Sequence, residues 1–557
     1  MKSIVEKIRV KGYSLHKKLL TFVIIHCLFC SVAAPEETWQ DTLEIYNQLC
    51  GNYEFYSGER YSPIIIYLYY DILMGKEKGC DPIILKPVNL SSLEFTAYNG
   101  QEYFRVNFGR NEDEEITEFV IAGDNWKGLA NRINHKLTLD QFSPAELRED
   151  FNQFRKKLEE EHCCLYEYTS KETFDSLFIH QYALINKSLG LSDFFKILTP
   201  ITAMIGCGHT AVWMPDYFWD QGSDLLFPLR IRLIENLVVV ADTYADTLQL
   251  PFGSIIRKIN DVPVTDIIAE MKSNYSADAF NENFILTQIE RRFPLIYARR
   301  FGFFTQYKVE YQLPAESIIR TAYLNPAELS AVREQVFANF NHPRLEFDLL
   351  PERNIAIMRI KTFIYYDRVP YFTAFLDSCF QVVKEKNIEN LILDLRGNDG
   401  GDPFCAAPLL SYLEREPVPY FAQPYAKYKE LADPVPLADN HFTGNLFTLI
   451  DGRCFSTNGH FCALLKYHQL GKFIGTNSGS TYKCNAGKNT EIHLKNTRIM
   501  LYFGRDTFAA AVKNLDKREP IHPDYPVVEN YQQFLTGRDV FLESALELID
   551  NLERLKN

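Results

Sequence analysis

Positive charge is in short supply in this sequence. Lys and Arg together number 59 against 72 Asp and Glu, for a formal net charge of −13. Binding to nucleic-acid phosphates needs a basic face, so that class is excluded. Cysteine is sparse and unpatterned. Two of the twelve, Cys27 and Cys30, lie near the N-terminus, and the other ten are spread along the rest of the chain with no CxxC pair among them. A disulfide scaffold is excluded, and a structural zinc site and any other metal site are not expected. Internal repeats and low-complexity runs are missing, which excludes solenoid and fibrous architectures. Beyond the N-terminus no apolar run is long enough to span a bilayer.

Apolar residues, by contrast, are plentiful at 46%, which is enough to fill several cores. At about 150 residues per domain, 557 residues imply three to four domains. The first forty residues read as a targeting segment. Lys2, Lys7, Arg9, Lys11, Lys17 and Lys18 precede an apolar run from Leu19 to Ala34 that ends in small residues. This is the layout of a secretory signal peptide, residues 1–34, with a signal anchor as the alternative. The mature chain is then expected to be exported: periplasmic, in the cell envelope, or secreted. Asn89, Asn186 and Asn274 head glycosylation sequons, which count only in a eukaryotic secretory path.

Four regions follow. Residues 38–135 alternate in the manner of strands, with Asn99-Gly100 as a turn signal, and predict a small β-barrel or sandwich. Residues 137–213 read as helical, starting with Ser143 as an N-cap and Pro144 in the first turn. Residues 222–335 carry the run Leu250 to Val264. There a glycine turn enters an apolar strand, Asn260-Asp261 turn the chain, and a second short strand leads to a helix near Thr265. This is how a PDZ-like domain reads, a module that binds peptide ends at a sheet edge. Residues 345–550 alternate strands (Ile355–Ile360, Leu391–Leu395, Leu446–Ile450, Phe473–Gly475) with helical stretches, an α/β pattern.

Four short segments could carry chemistry. Asp394-Leu395-Arg396-Gly397-Asn398-Asp399-Gly400-Gly401 follows a buried strand, and its glycines can present bare amides to an oxyanion or a phosphate; a plain turn is the simpler account. Ser456, in Cys454-Phe455-Ser456-Thr457, stands where a strand runs into a helix, as either an N-cap or a nucleophile. His209, in Gly206-Cys207-Gly208-His209-Thr210, is a base for such a nucleophile or a structural histidine. Glu519, ahead of His522 and Asp524, is an orienting acid or a surface residue.

Together and in this order, with a PDZ-like stretch between the first and the rest, these segments resemble the C-terminal processing peptidases (tail-specific proteases) and their tricorn and interphotoreceptor retinoid-binding relatives. The resemblance covers about residues 137 to 550, and it extends to Gly475-Thr476-Asn477-Ser478-Gly479 and Gly537-Arg538-Asp539. It implies a crotonase/ClpP-like α/β catalytic domain and a serine endopeptidase that needs no cofactor. One branch of the family uses a Ser–Lys dyad, but Thr481 falls at the lysine position, with Lys483 two residues on and Lys472 on the preceding strand. The tricorn-like branch uses Ser, His and Glu. The resemblance to it assigns Ser456 as nucleophile, His209 as base and Glu519 as acid, with an oxyanion hole from Gly400, Gly401 and Thr457. Two positions depart from the tricorn pattern, Gly208 in place of a serine and Thr457 in place of an aspartate. The implied partner is a polypeptide held by the PDZ-like domain. The alternative is an inactive relative that binds an apolar ligand or a peptide. Cys207, Cys405, Cys454 and Cys484 lie near these motifs and are candidates for a disulfide as well as for tight packing.

Overall fold

A computed structural model of the chain describes residues 39–556, apart from positions 58, 59, 70, 79, 81, 101, 134–140, 221, 246–248 and 338–343. The proposed signal peptide lies outside the described residues. No helix among the described residues is long and apolar enough to cross a membrane. The chain divides into two compact units between Leu137 and Thr138, with Lys78–Asp81 assigned to the second.

In the first unit a helix, Trp39–Leu49, precedes nine antiparallel strands that form one sheet. The first strand, Gly51–Ser57, pairs with the last, Lys127–Ile133, so two runs of hairpins meet along one seam. The edge strands Ile83–Ile84 and Lys86–Asn89 are separated in sequence by Leu85 alone, so the sheet must curl until its two edges meet. Tyr53, Phe55, Phe95, Phe108 and Phe119 fill the inside. A sandwich would need a second sheet, and the strands of this unit form only one. The turn signal at Asn99-Gly100 lies in the connection between Tyr98 and its partner Tyr103, where the Asn99 side chain accepts from the Glu102 amide.

The second unit opens with helices. Ser143 caps Pro144–Glu161 in a reciprocal capping box with Glu146, and Phe151, Phe154 and Leu158 are buried along one face. Lys171–Ala183 and Leu191–Met204 complete the helical part. The strand Ala211–Trp213 comes immediately after and pairs with Met500–Phe503, far along the chain.

The region read as PDZ-like is an antiparallel sheet of Leu229–Ile234, Leu237–Thr243, Ile255–Ile259, Tyr307–Gln312 and Ile319–Leu324. Asn260 and Asp261 turn with positive φ, as the sequence implies, and the helices Val264–Ser273 and Glu282–Phe301 pack on the sheet.

The third part is a sheet ordered Leu345–Leu350, Ile355–Ile360, Asn390–Asp394, Asn445–Ile450, Lys472–Gly475, Tyr525–Pro526. The first pair is antiparallel and the rest are parallel. Alternation along Ile355–Ile360 sorts the two faces. Ala356, Met358 and Ile360 pack under the crossover helices, while Ile355 and Ile357 pack under Ala545 and Ile549 of the last helix, Val540–Lys556. A mostly parallel sheet covered on both faces presents the loops at its carboxyl ends for chemistry.

Candidate active site

Two of those loops carry the glycine motif and Ser456. Ser456 ends the connection from Asn445–Ile450 and opens the helix Thr457–Tyr467. Its backbone lies at φ 56° and ψ −125°, a strained conformation for a residue with a Cβ, costing about 1–3 kcal/mol. Its hydroxyl makes no capping bond. Instead Oγ lies 3.2 Å from His209 Nε2. The structure thus joins two residues 247 positions apart.

His209 is half-buried against an aromatic wall. Its ring stacks on Phe455 with centroids 4.6 Å apart, and Phe455 stacks on Phe284 at 4.4 Å. Gly208 allows this approach, since a Cβ there would stand 2.7 Å from the Phe455 ring. Burial lowers the His209 pKa to about 4, so the imidazole is neutral and able to accept a proton at neutral pH. Its Nδ1 is buried and hydrogen-bonded to no described residue.

Glu519 is not at that nitrogen. Its carboxylate bonds His522 Nε2 at 3.1 Å, and its side chain is 61% exposed. The segment bearing it docks on the Ser478 turn: Ile521 exchanges hydrogen bonds with Ser478, and His522 bonds the Asn477 side chain.

Gly400 abuts the nucleophile, since a Cβ on it would meet Ser456 Cβ and the Thr457 amide at 2.9 Å. However, the Gly400 amide already donates to Asn398 Oδ1 at 2.9 Å. Gly401 and Thr457 are joined through Thr457 Oγ1, which donates to the Gly401 carbonyl at 2.6 Å. The glycine loop is fixed by charge. Asp399 takes a bidentate pair from Arg453 at 3.0 and 2.7 Å, and a further bond from Arg291 on the Glu282–Phe301 helix. Gly397 donates to Asp451.

The lysine of a dyad is not at the serine. Lys483 pairs with Glu167, and Thr481 Oγ1 donates to the Lys483 carbonyl. The thiol of Cys484 also interacts with Ser456, and burial holds it well above the usual thiol pKa, hence neutral. Cys207, Cys405, Cys454 and Cys484 form no disulfide in the structure, and Cys454 lies against Cys462. Among the described residues no cluster of His, Cys, Asp and Glu could hold a metal ion.

No local pattern in the sequence marks Asp278. This buried carboxylate accepts from the Gly208 amide at 2.8 Å and from Ser480 Oγ at 2.7 Å, while the next residue, Ala279, donates to the Gly206 carbonyl at 2.9 Å. The histidine loop is thereby clamped on both sides of Cys207. Burial raises the Asp278 pKa to about 6 against these two donors. A carboxyl raised above its unfolded value favours the fold below about pH 4 and costs it stability above about pH 6. Asp278→Asn, which keeps an acceptor for Gly208, should therefore raise the melting temperature at pH 7.5, by an amount equivalent to about 3 kcal/mol, with the gain gone at pH 4. Asp278→Ala should lower kcat with little change in KM. An Ala variant with wild-type kcat would show that the clamp does not position His209.

Residues 354–526 match the family model "Peptidase family S41". No curated protein matches. Among solved structures, mature CPAF complexed with lactacystin is similar at 12% identity, covering 74% of this chain and 98% of that one, with a TM-score of 0.51. A CPAF point mutant is similar at 11% identity, covering 73% and 98%, with a TM-score of 0.54. At such identities the likeness is one of fold.

Proposed function

We propose that this chain, with its peptidase S41 segment, is an exported serine endopeptidase that cleaves polypeptides by acyl transfer. The observation that carries the reading is the 3.2 Å approach of His209 Nε2 to Ser456 Oγ at a strained strand-to-helix turn. His209 takes the Ser456 proton as Oγ attacks the scissile carbonyl, and returns it to the leaving amine. The amides of Gly401 and Thr457 receive the oxyanion, with Gly400 joining once Asn398 yields its amide. Glu519 is the proposed orienting acid. Its segment is docked on the Ser478 turn, its side chain is exposed and bonded to His522, and His209 Nδ1 is the atom it must reach. Such bonds are often loose before substrate arrives. The crotonase/ClpP-like description suits the parallel sheet, and the PDZ-like region is the proposed seat of the substrate's extended end, added at a sheet edge.

Labelling by a fluorophosphonate probe tests the reading. The wild type should label at Ser456, whereas Ser456→Ala and His209→Ala should not. A folded wild type that never labels would refute it.

A further inference from the structure

The histidine loop has a second neighbour that acyl transfer does not use. Cys163 and Cys164 follow the helix Pro144–Glu161 in a turn and are both half-buried. Their thiols influence each other's ionisation. Both also meet one hydroxyl: Thr507 Oγ1 is 3.1 Å from Cys164 Sγ and 3.7 Å from Cys163 Sγ.

This turn is wired to the base. The Cys164 amide donates to His162 Nδ1 at 3.1 Å, so His162 carries its proton on Nε2 and donates it to Thr210 Oγ1 at 2.8 Å. Thr210 is the residue after His209. Thr507 makes a second route. Its strand, Asp506–Ala509, pairs with Lys483–Gly487, which carries the Cys484 that meets the Ser456 hydroxyl.

The geometry points to Cys163 and Cys164 as a redox-active dithiol, oxidised by a small-molecule disulfide to a bond between the neighbours that displaces the His162–Thr210 relay behind His209. The effect on His209 rests on the peptidase reading; the oxidation itself does not. Of the two thiols Cys164 ionises first, because the Cys163 thiol and the Thr507 hydroxyl favour its thiolate against burial and the nearby Glu167, with Lys483 adding a favourable charge. The Cys164 thiolate attacks one sulfur of the small disulfide. That S–S bond breaks, and one small thiolate leaves and takes up a proton. Cys164 then carries no negative charge, so Cys163 loses its proton and attacks the Cys164 sulfur, expelling the second small thiolate. Two protein thiols are oxidised and one small disulfide is reduced to two thiols. Neighbouring Cα atoms stand about 3.8 Å apart, closer than an ordinary disulfide prefers, so the product is strained and readily reduced. Strained disulfides of this kind are the labile ones.

The test equilibrates the folded full chain in glutathione buffers of graded ratio, traps thiols with N-ethylmaleimide and weighs the peptide holding both residues. The expected product is that peptide, unalkylated and lighter by two hydrogens, restored by dithiothreitol. Cys163→Ser should instead stop at a mixed disulfide on Cys164. Alkylation of both thiols at every ratio, or pairing of either with another cysteine, would overturn the dithiol. On the same samples, fluorophosphonate labelling of Ser456 should slow about tenfold on oxidation, the effect of one displaced hydrogen bond, and should stay constant in Cys164→Ser. Constant labelling of a fully oxidised wild type would overturn the link to His209. A reduced wild type that never labels would count against the peptidase reading, while the mass still reads the dithiol.

Discussion

Ser456→Ala should lower peptide hydrolysis by about 10⁴-fold or more, His209→Ala should do nearly the same, and the double variant should be no worse than either. On the proposed mechanism the two groups share one proton, so losing either ends the same step. Additive losses would mean that they act separately, and the 3.2 Å pairing would then be incidental. The pH profile adds a sharper mark. An ordinary imidazole would make activity rise through about pH 6.5. Here burial lowers the His209 pKa to about 4. Protonation of the free enzyme's base should therefore cut kcat/KM only as pH falls through about 4, leaving a plateau from about 5 to 8. A rise centred near 6.5 would show that the ring is solvated, or that a carboxylate has joined Nδ1. Glu519→Gln separates those two accounts, since only the second gives the variant a different profile.

Asp399→Ala should be the most damaging single change to the fold around the site. Burial pushes the Asp399 carboxyl up, but Arg453 and Arg291 outweigh it and bring the pKa down to about 2. A carboxyl held below its unfolded value contributes stability above about pH 4, and that stability is lost as pH falls through about 2. Removing it leaves two largely buried guanidinium groups without their shared partner, an effect of about 3 kcal/mol. Thermal unfolding at pH 7 should move down by several degrees, and probe labelling should fall with it because the glycine loop loses its anchor. A variant within a degree of wild type would mean that solvent screens these arginines.

Much of this site could be read from residue order. The strands of the parallel sheet are legible because each is a short apolar run, buried on both faces and followed by a glycine or polar turn. Ser456 and His209 are legible from the glycines around them, which mark close backbone approach. Other features depend on contacts that no local pattern encodes. Asp278 gains its role only by meeting Gly208, 70 residues earlier. The curl of the first unit depends on pairing Gly51–Ser57 with Lys127–Ile133. The Glu519 side chain has two candidate partners, and the sequence cannot rank His522 against His209. Gly400 is different in kind. Asn398 stands two residues before it, and an Asn side chain that bonds the amide two residues on is a local motif. That signal was present in the sequence.

The pairing of Ala211–Trp213 with Met500–Phe503 also sets a clock. The strand just after His209 has no sheet partner until nearly three hundred further residues have been made. At about 5–20 residues per second, a ribosome needs roughly 15–60 s to supply them. Until then the base has no strand to hold it beside the serine. On the proposed function, a nascent chain holds its catalytic groups apart, unable to cut itself or its neighbours while its own segments are still unfolded and most easily cleaved.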